Sequence, residues 1–167
     1  MVVTALAAAM TACSADETGD DENVATPRSE QSGAEPDEDR WGPLPPPNLE
    51  DRKDLRDPDL PDRLGRFVAE EPTVDVGSIS LFYDDAANYA SALTTIQLGT
   101  HHYQRIVEGI TAPAVHGDAV CGVEAKDDTG ISCVVAGEFA TLWVLGTAGE
   151  MTVEQLARFT NRLYDAL

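Results

Sequence analysis

Large apolar side chains are distributed very unevenly along this chain. Between residues 16 and 66 they are few and scattered, whereas from Phe67 onward they come in dense, patterned runs. A core can form only where such runs occur, and about 100 residues are enough for an independent domain. The pattern therefore predicts one small domain over residues 67–167. Residues 14–66 are predicted to be a disordered, acidic and proline-rich tether, because their hydrophobicity is low and their net charge is high.

Five runs in the second part have the length and the alternation of β-strands. They cover residues 74–83, 89–98, 119–125, 131–136 and 139–146. Gly77 is expected to mark a bulge in the first of them. The last run is apolar on both faces from Phe139 to Leu145, apart from Thr141. This run is therefore predicted to be a central strand.

Two further segments have the periodicity of helices. Thr100 can cap a short helix whose apolar residues recur at intervals of three and four up to Ile110. Near the C-terminus, Thr152 and Gln155 have the spacing of a capping box in front of an apolar stripe. The element order ββαβββα then predicts an α+β fold, a two-layer sandwich of two helices on an antiparallel sheet of about five strands.

The formal net charge of −19 excludes some partners and leaves others open. Binding of nucleic acid requires clustered Lys and Arg that neutralise phosphates, so we expect no nucleic-acid partner. Electrostatic adhesion to anionic lipid is disfavoured for the same reason. Acidity of this kind keeps an extracellular protein soluble, and a basic partner or weak cation binding is the alternative.

The first thirteen residues carry a recognisable pattern. Residues 1–12 are uncharged and small or apolar, and Cys13 is followed by an abruptly polar chain. The run is too short for a transmembrane helix, which needs about 20 apolar residues, but it suits the hydrophobic region of a signal peptide. No Lys or Arg precedes it, so we expect the natural start to lie further upstream. Residues 1–13 are thus interpreted as the remnant of a signal peptide.

Residues 10–13, Met-Thr-Ala-Cys, resemble the lipobox of bacterial lipoproteins. The resemblance implies cleavage after Ala12 and lipidation of Cys13, with acyl chains such as palmitate. It also implies a place at the extracytoplasmic face of the cell membrane. The composition, with only two lysines, resembles that of lipoproteins from high-GC Gram-positive bacteria. The order of elements resembles small PsbP-like domains of some actinobacterial lipoproteins, and no motif extends that likeness to an activity. The alternatives are an ordinary secreted protein and a disordered N-terminus with an incidental cysteine.

The two remaining cysteines flank a turn. If a hairpin is centred near Asp127, Cys121 and Cys133 lie directly opposite each other on the same face. Opposed residues of an antiparallel pair are close enough for a disulfide. Export would permit oxidation, and Cys13 accounts for the odd cysteine. Free core thiols and a metal or redox site are the alternatives, although the chain has no CxxC motif.

The other polar residues give little sign of chemistry. His101 and His102 are adjacent on a predicted helix, where neighbouring side chains diverge, and His116 lies in a predicted loop. A zinc site needs three or four converging ligands, so no metal and no cofactor is expected. The acid pairs beginning at Asp84 and Asp127 suit turns. No nucleophile elbow, phosphate loop or dinucleotide fingerprint is present, and we expect no catalytic residue.

These observations predict a membrane-anchored lipoprotein with a small, non-catalytic binding or accessory domain. Its partner would be an envelope protein or a small ligand. A carrier of a small apolar ligand is the first alternative, and an enzyme with a scattered site is the second. An apolar cavity above roughly 300 Å³ would favour the carrier. A flat exposed apolar patch would favour a protein partner, and converging titratable groups in a cleft would favour an enzyme.

Overall fold

A computed structural model describes Trp41 and residues 44–167. This part of the chain forms nine strands and two helices. The strands are β1 (Arg63–Leu64), β2 (Phe67–Ala69), β3 (Thr73–Asp75), β4 (Ser78–Asp85), β5 (Ala90–Leu98), β6 (Ile110–His116), β7 (Ala119–Glu124), β8 (Gly130–Ala136) and β9 (Ala140–Thr147). The helices are α1 (His101–Glu108) and α2 (Val153–Ala166). The α+β class is confirmed, but the sheet has more strands than the five predicted.

The strands join one antiparallel sheet in the order β1-β2-β4-β5-β9-β8-β7-β6, and β3 also pairs with β4. The five predicted strands correspond to β4, β5, β7, β8 and β9. Strand β9 lies between β5 and β8, so its prediction as a central strand is confirmed.

Four strands escaped prediction for identifiable reasons. β1 and β2 are two and three residues long, too short to show alternation. The run predicted as one strand from residue 74 is a hairpin of β3 and β4, because Gly77 adopts φ +81° in the turn rather than marking a bulge. β6 contains Pro113 and ends at His116, which was expected in a loop. β6 is an edge strand with an irregular register between Thr111 and Ala114, where proline is tolerated.

The two helices lie on opposite faces of the sheet, so the two-layer prediction is wrong. Helix α2 contacts β7, β8 and β9, and α1 contacts β6, β8 and β9. Cys133 of β8 belongs to the buried cluster that contains the apolar side of α2. The next residue, Val134, belongs to the cluster that contains the apolar side of α1. Successive residues of a strand point to opposite faces, so this half of the sheet is covered on both sides.

The ends of the helices agree with the sequence in part. The Thr152 hydroxyl accepts a hydrogen bond from the backbone N–H of Gln155, and the Gln155 side chain accepts one from the backbone of Thr152. The predicted capping box is therefore confirmed. Thr100 precedes α1 as expected, but its side chain makes no capping hydrogen bond. Among the described residues, neither α1 nor α2 has the length and the hydropathy of a membrane-spanning segment.

The predicted start of the domain at Phe67 is too late. Trp41, Asn48 and Leu55 are all buried, and Leu55 is only 1% exposed. The Asn48 side chain donates hydrogen bonds to the Ala136 carbonyl and to the Tyr164 hydroxyl. Residues 44–66 therefore pack on the domain instead of forming a tether. The predictions for residues 1–40, including the first part of the tether, lie outside the described residues.

Candidate functional site

The predicted disulfide is present. Cys121 of β7 and Cys133 of β8 are directly paired across the ladder, their Cα atoms are 4.1 Å apart, and their sulfur atoms are bonded. Both residues are fully buried on the sheet face beneath α2. The hairpin register deduced from the sequence is therefore confirmed. Cys13, the predicted lipidation site, lies outside the described residues.

The histidines do not assemble a site. The rings of His101 and His102 lie closer than divergence along a helix predicts, with centroids 4.0 Å apart. Arg105 donates a hydrogen bond to Nδ1 of His102 at 2.9 Å. Burial lowers the pKa of His102, and the charges of His101 and Arg105 lower it further. Across Trp41 and residues 44–167, no three His, Cys, Asp or Glu side chains are grouped so that they could hold a metal ion.

The two acid pairs differ from each other. Asp127 caps its own turn, since its carboxylate accepts hydrogen bonds from the backbone N–H and the hydroxyl of Thr129, and these bonds lower its pKa. Asp85 instead is 2% exposed and forms an ion pair with the guanidinium of Arg66. Its carboxylate also accepts a hydrogen bond from Asn88 at 2.7 Å. Asp85 therefore serves to position Arg66.

Arg66 stands at the edge of a cleft of about 380 Å³, which we call the arginine cleft. The cleft lies between the β1–β2 hairpin and α2. It is lined by Leu64, Arg66, Phe67, Met151, Gln155, Arg158, Phe159 and Arg162. Four lining residues are apolar, three are arginines and one is an amide.

Aromatic rings make the floor of the arginine cleft rigid. Phe67 and Phe159 meet edge to face with centroids 4.9 Å apart, and Tyr83 meets Phe159 in the same manner at 5.3 Å. Such pairs stabilise a core beyond the effect of buried area, by about 0.5–1.5 kcal/mol. The guanidinium of Arg66 lies 5.6 Å from the centre of the Phe67 ring. The floor and one cationic group are therefore fixed by packing.

The other two arginines lie one helical turn apart on α2. Arg158 and Arg162 are exposed, and neither forms an ion pair with any described residue. The guanidinium of Arg162 lies close to the turn between β1 and β2, where a Cβ at Gly65 would come within 3.3 Å of it. Gly65 adopts φ +64°, which glycine tolerates without strain. The cleft therefore presents, over an apolar floor, two guanidinium groups that have no ion-pair partner among the described residues.

The other broad surface of the sheet is built differently. Phe82 points away from α2, between the buried Leu81 and Tyr83, and is 46% exposed. Hydroxyl groups pair across strands on this face, since Ser80 and Thr95 are hydrogen-bonded at 3.0 Å. These hydroxyl groups therefore serve the pairing of the two strands, and Thr95 is itself buried. The arginine cleft is therefore the stronger candidate for a binding site.

Sequence reasoning missed the arginine cleft. The pattern that could have indicated it is the spacing of Arg158 and Arg162, which lie four residues apart on the polar side of a predicted helix. The third arginine, Arg66, was assigned to the tether, because the predicted boundary at Phe67 falls within the β1–β2 hairpin. No known protein family, curated protein or solved structure matches this chain.

Proposed function

We propose that this chain is an extracytoplasmic lipoprotein, anchored in the cell membrane through Cys13, whose domain binds a small molecule in the arginine cleft without transforming it. The observation that carries the binding function is the composition of the cleft. Two aromatic rings and two aliphatic side chains form its apolar part, and three guanidinium groups and one amide supply its polar part. Arginine is always protonated at physiological pH, so these groups attract and orient a ligand but cannot act as general bases.

Two observations support the proposed location. The lipobox-like sequence before Cys13 favours a lipid anchor. The disulfide between Cys121 and Cys133 favours an oxidising compartment, since structural disulfides persist outside the cytosol. Each observation supports export independently of the other, because one rests on a targeting pattern and the other on the folded domain.

The cleft also favours a small ligand over the envelope protein considered from the sequence. Its volume of about 380 Å³ lies at the lower end of the range of small-molecule sites, roughly 300–1,000 Å³. Its walls come from a strand hairpin and a helix that are held together by a shared aromatic core. A preformed concave site of this size suits a compact ligand better than an extended protein surface.

Metabolic labelling with a tagged fatty acid tests the anchor. The full chain, expressed behind a complete signal peptide in a bacterium that matures lipoproteins, should incorporate label and sediment with membranes. Cys13→Ser should lose the label and appear in the medium, while Ser14→Ala, the matched neighbour, should behave as the unaltered protein. Membrane retention of an unlabelled Cys13→Ser protein would contradict the anchor.

Native mass spectrometry of the full chain, purified from membranes without denaturation, tests the binding function. We expect a fraction of the molecules to carry a bound small molecule. Leu64→Trp, which places a large side chain in the cleft, should abolish this mass increment. Val68→Trp, on an exposed strand position outside the cleft, should retain it. An increment that survives Leu64→Trp would exclude the arginine cleft as the site.

A further inference from the structure

We propose that the arginine cleft is specific for an amphipathic anion, a molecule with a carboxylate or phosphate head and an apolar tail. This inference rests on the proposed binding function and names the ligand class for the same site. The head would be held by Arg158 and Arg162, and the tail would lie against Phe67 and Phe159.

The first step of the argument concerns charge. The chain has 30 acidic and 11 basic residues, so an arginine has many possible carboxylate partners. Nevertheless Arg158 and Arg162, four residues apart on α2, form no ion pair with the described residues. Like charges at this spacing destabilise a helix slightly. An arrangement that costs stability and leaves two guanidinium groups without a carboxylate among the described residues is explained if an anion occupies the space between them.

The second step concerns the type of head group. A guanidinium donates parallel hydrogen bonds to a carboxylate or a phosphate in a bidentate geometry. Arg66 is already engaged by the buried carboxylate of Asp85, so its charge is largely compensated. Hydrogen bonds at the start of α2 are the main cause of the lowered pKa of Glu154, and the positive charge of Arg158 contributes less. Glu154 therefore interacts only weakly with Arg158. Within the part of the chain that the structure describes, the guanidinium groups left to bind a head group are therefore those of Arg158 and Arg162.

The third step concerns the tail. An inorganic anion would use the arginines and leave the aromatic floor in contact with water. A neutral apolar molecule would cover the floor, but it would separate guanidinium groups from water without replacing their hydrogen bonds, which is costly. Only a ligand with both parts uses both halves of the cleft. Met151 also lines the cleft, and its flexible thioether allows tails of different shape to fit.

Isothermal titration of the oxidised full chain with five probes tests this specificity. The probes are decanoate, decyl phosphate, decanol, acetate and inorganic phosphate. We expect decanoate or decyl phosphate to bind with one-to-one stoichiometry, and the stronger of the two identifies the head group. Decanol, acetate and inorganic phosphate should bind at least about tenfold more weakly, because each lacks one half of the ligand.

Matched arginine variants locate the binding energy. Arg158→Gln and Arg162→Gln should each weaken binding of the charged decyl probe about tenfold, because each removes a charge-assisted hydrogen bond. Arg63→Gln removes the same charge from β1, at a residue that does not line the cleft. This control variant should change binding less than twofold. Unchanged melting temperatures would show that the variants remain folded.

Several outcomes would overturn the inference. Decanol that binds as tightly as decanoate would indicate a neutral apolar carrier, and acetate or phosphate that binds as tightly would indicate a simple anion site. If Arg63→Gln weakened binding as much as Arg158→Gln and Arg162→Gln, the anion would be attracted by the overall charge of this surface and not by the two cleft arginines. In each of these cases the binding function itself would stand. Absence of binding by all five probes, together with absence of a bound molecule in the native mass spectrum, would overturn both proposals.

Discussion

The side-chain amide of Asn48 donates a hydrogen bond of 3.0 Å to the hydroxyl of Tyr164, although 116 residues separate them in the chain. The same hydroxyl accepts a hydrogen bond from the backbone N–H of Lys53 at 2.8 Å. The ammonium group of Lys53 in turn donates to the carbonyls of Tyr164 and Asp165 at the end of α2. A positive charge at a helix C-terminus is stabilising. The segment before β1 thus stabilises the C-terminal end of α2 through hydrogen bonds from Asn48 and Lys53.

Replacement of Asn48 by alanine should destabilise the domain by about 1–3 kcal/mol, because the buried Ala136 carbonyl loses its hydrogen bond from the Asn48 amide. Urea denaturation followed by circular dichroism measures this change. Glu50→Ala, at an exposed position two residues away, should shift the midpoint by much less. Equal midpoints for Asn48→Ala and the unaltered protein would contradict a structural role for the segment.

Limited proteolysis should leave a resistant fragment that retains residues 44–66. Cleavage in this segment requires that Leu55, which is 1% exposed, and Asn48 leave their buried positions. Leu55→Ala should lower the stability by about 2–5 kcal/mol and should make the segment susceptible to protease. Mass spectrometry of the fragments distinguishes this result from a fragment that begins near Phe67, which would restore the original tether boundary.

The contrast between the disulfide and this segment shows what the sequence could predict. Cys121 and Cys133 belong to one hairpin, so their pairing follows from local alternation and the position of a turn. Trp41, Asn48 and Leu55 are isolated side chains that are buried against parts of the chain distant in sequence. No periodic pattern in the sequence indicates their burial. The same reasoning explains the missed cleft, because Arg66 and Arg162 are brought together only by the packing of a hairpin against α2.

The sequence of β8 contains a pattern that indicates helices on both faces of the sheet. Residues 131–136 of β8 are apolar on both faces apart from Ser132, as predicted only for β9. A strand that is apolar on both faces needs cover on both faces. This pattern favoured a helix on each side of the sheet, but it could not show which helix covers which side. That choice depends on the connections and on the fit of side chains in the assembled core.

The stability of the domain should fall at alkaline pH because buried tyrosines must ionise. Burial, and to a lesser extent the charge of Asp62, raises the pKa of Tyr83 to about 12, from an ordinary value near 10. The folded state therefore holds the phenolic proton more tightly than the unfolded state does. The resulting stability is fully present below pH 10 and is lost as the pH rises from 10 to 12. Burial also raises the pKa values of Tyr103 and Tyr164, which adds to the loss.

Tyr83→Phe should reveal the share of this one residue. At pH 7 the variant should lose about 1 kcal/mol, because the Tyr83 hydroxyl donates a hydrogen bond of 2.8 Å to the Pro61 carbonyl. Between pH 9.5 and 11.5 its stability should fall less steeply than that of the unaltered protein. Tyr89→Phe, at a side chain that is 86% exposed, controls for loss of a phenol. Parallel pH profiles of denaturant midpoints for the Tyr83→Phe variant and the unaltered protein would contradict the assignment.

The bond between Cys121 and Cys133 should supply a large share of the stability of the domain. The two residues are 12 apart in sequence, and closing a loop of this size restricts the unfolded chain by roughly 3 kcal/mol in the entropic account. A domain of this size has a total stability of only about 5–15 kcal/mol. Since ~1 kcal/mol shifts the melting temperature of a domain of this size by ~3–5 °C, reduction should lower it by about 10 °C or more. Melts with and without reductant measure the difference.

Two variants separate the bond from the packing of its sulfur atoms. Both cysteines are buried beneath α2, where free thiols pack as small hydrophobic groups, so the reduced protein should keep its circular dichroism spectrum at 20 °C. Cys121→Ala with Cys133→Ala should melt near the reduced protein, and reductant should no longer affect it. Cys13→Ala, which leaves the bond intact, should melt as the unaltered protein does. Two reactive thiols in the unfolded, unreduced Cys13→Ala variant, or melts that are insensitive to reductant, would contradict the role of the disulfide and weaken the argument for export.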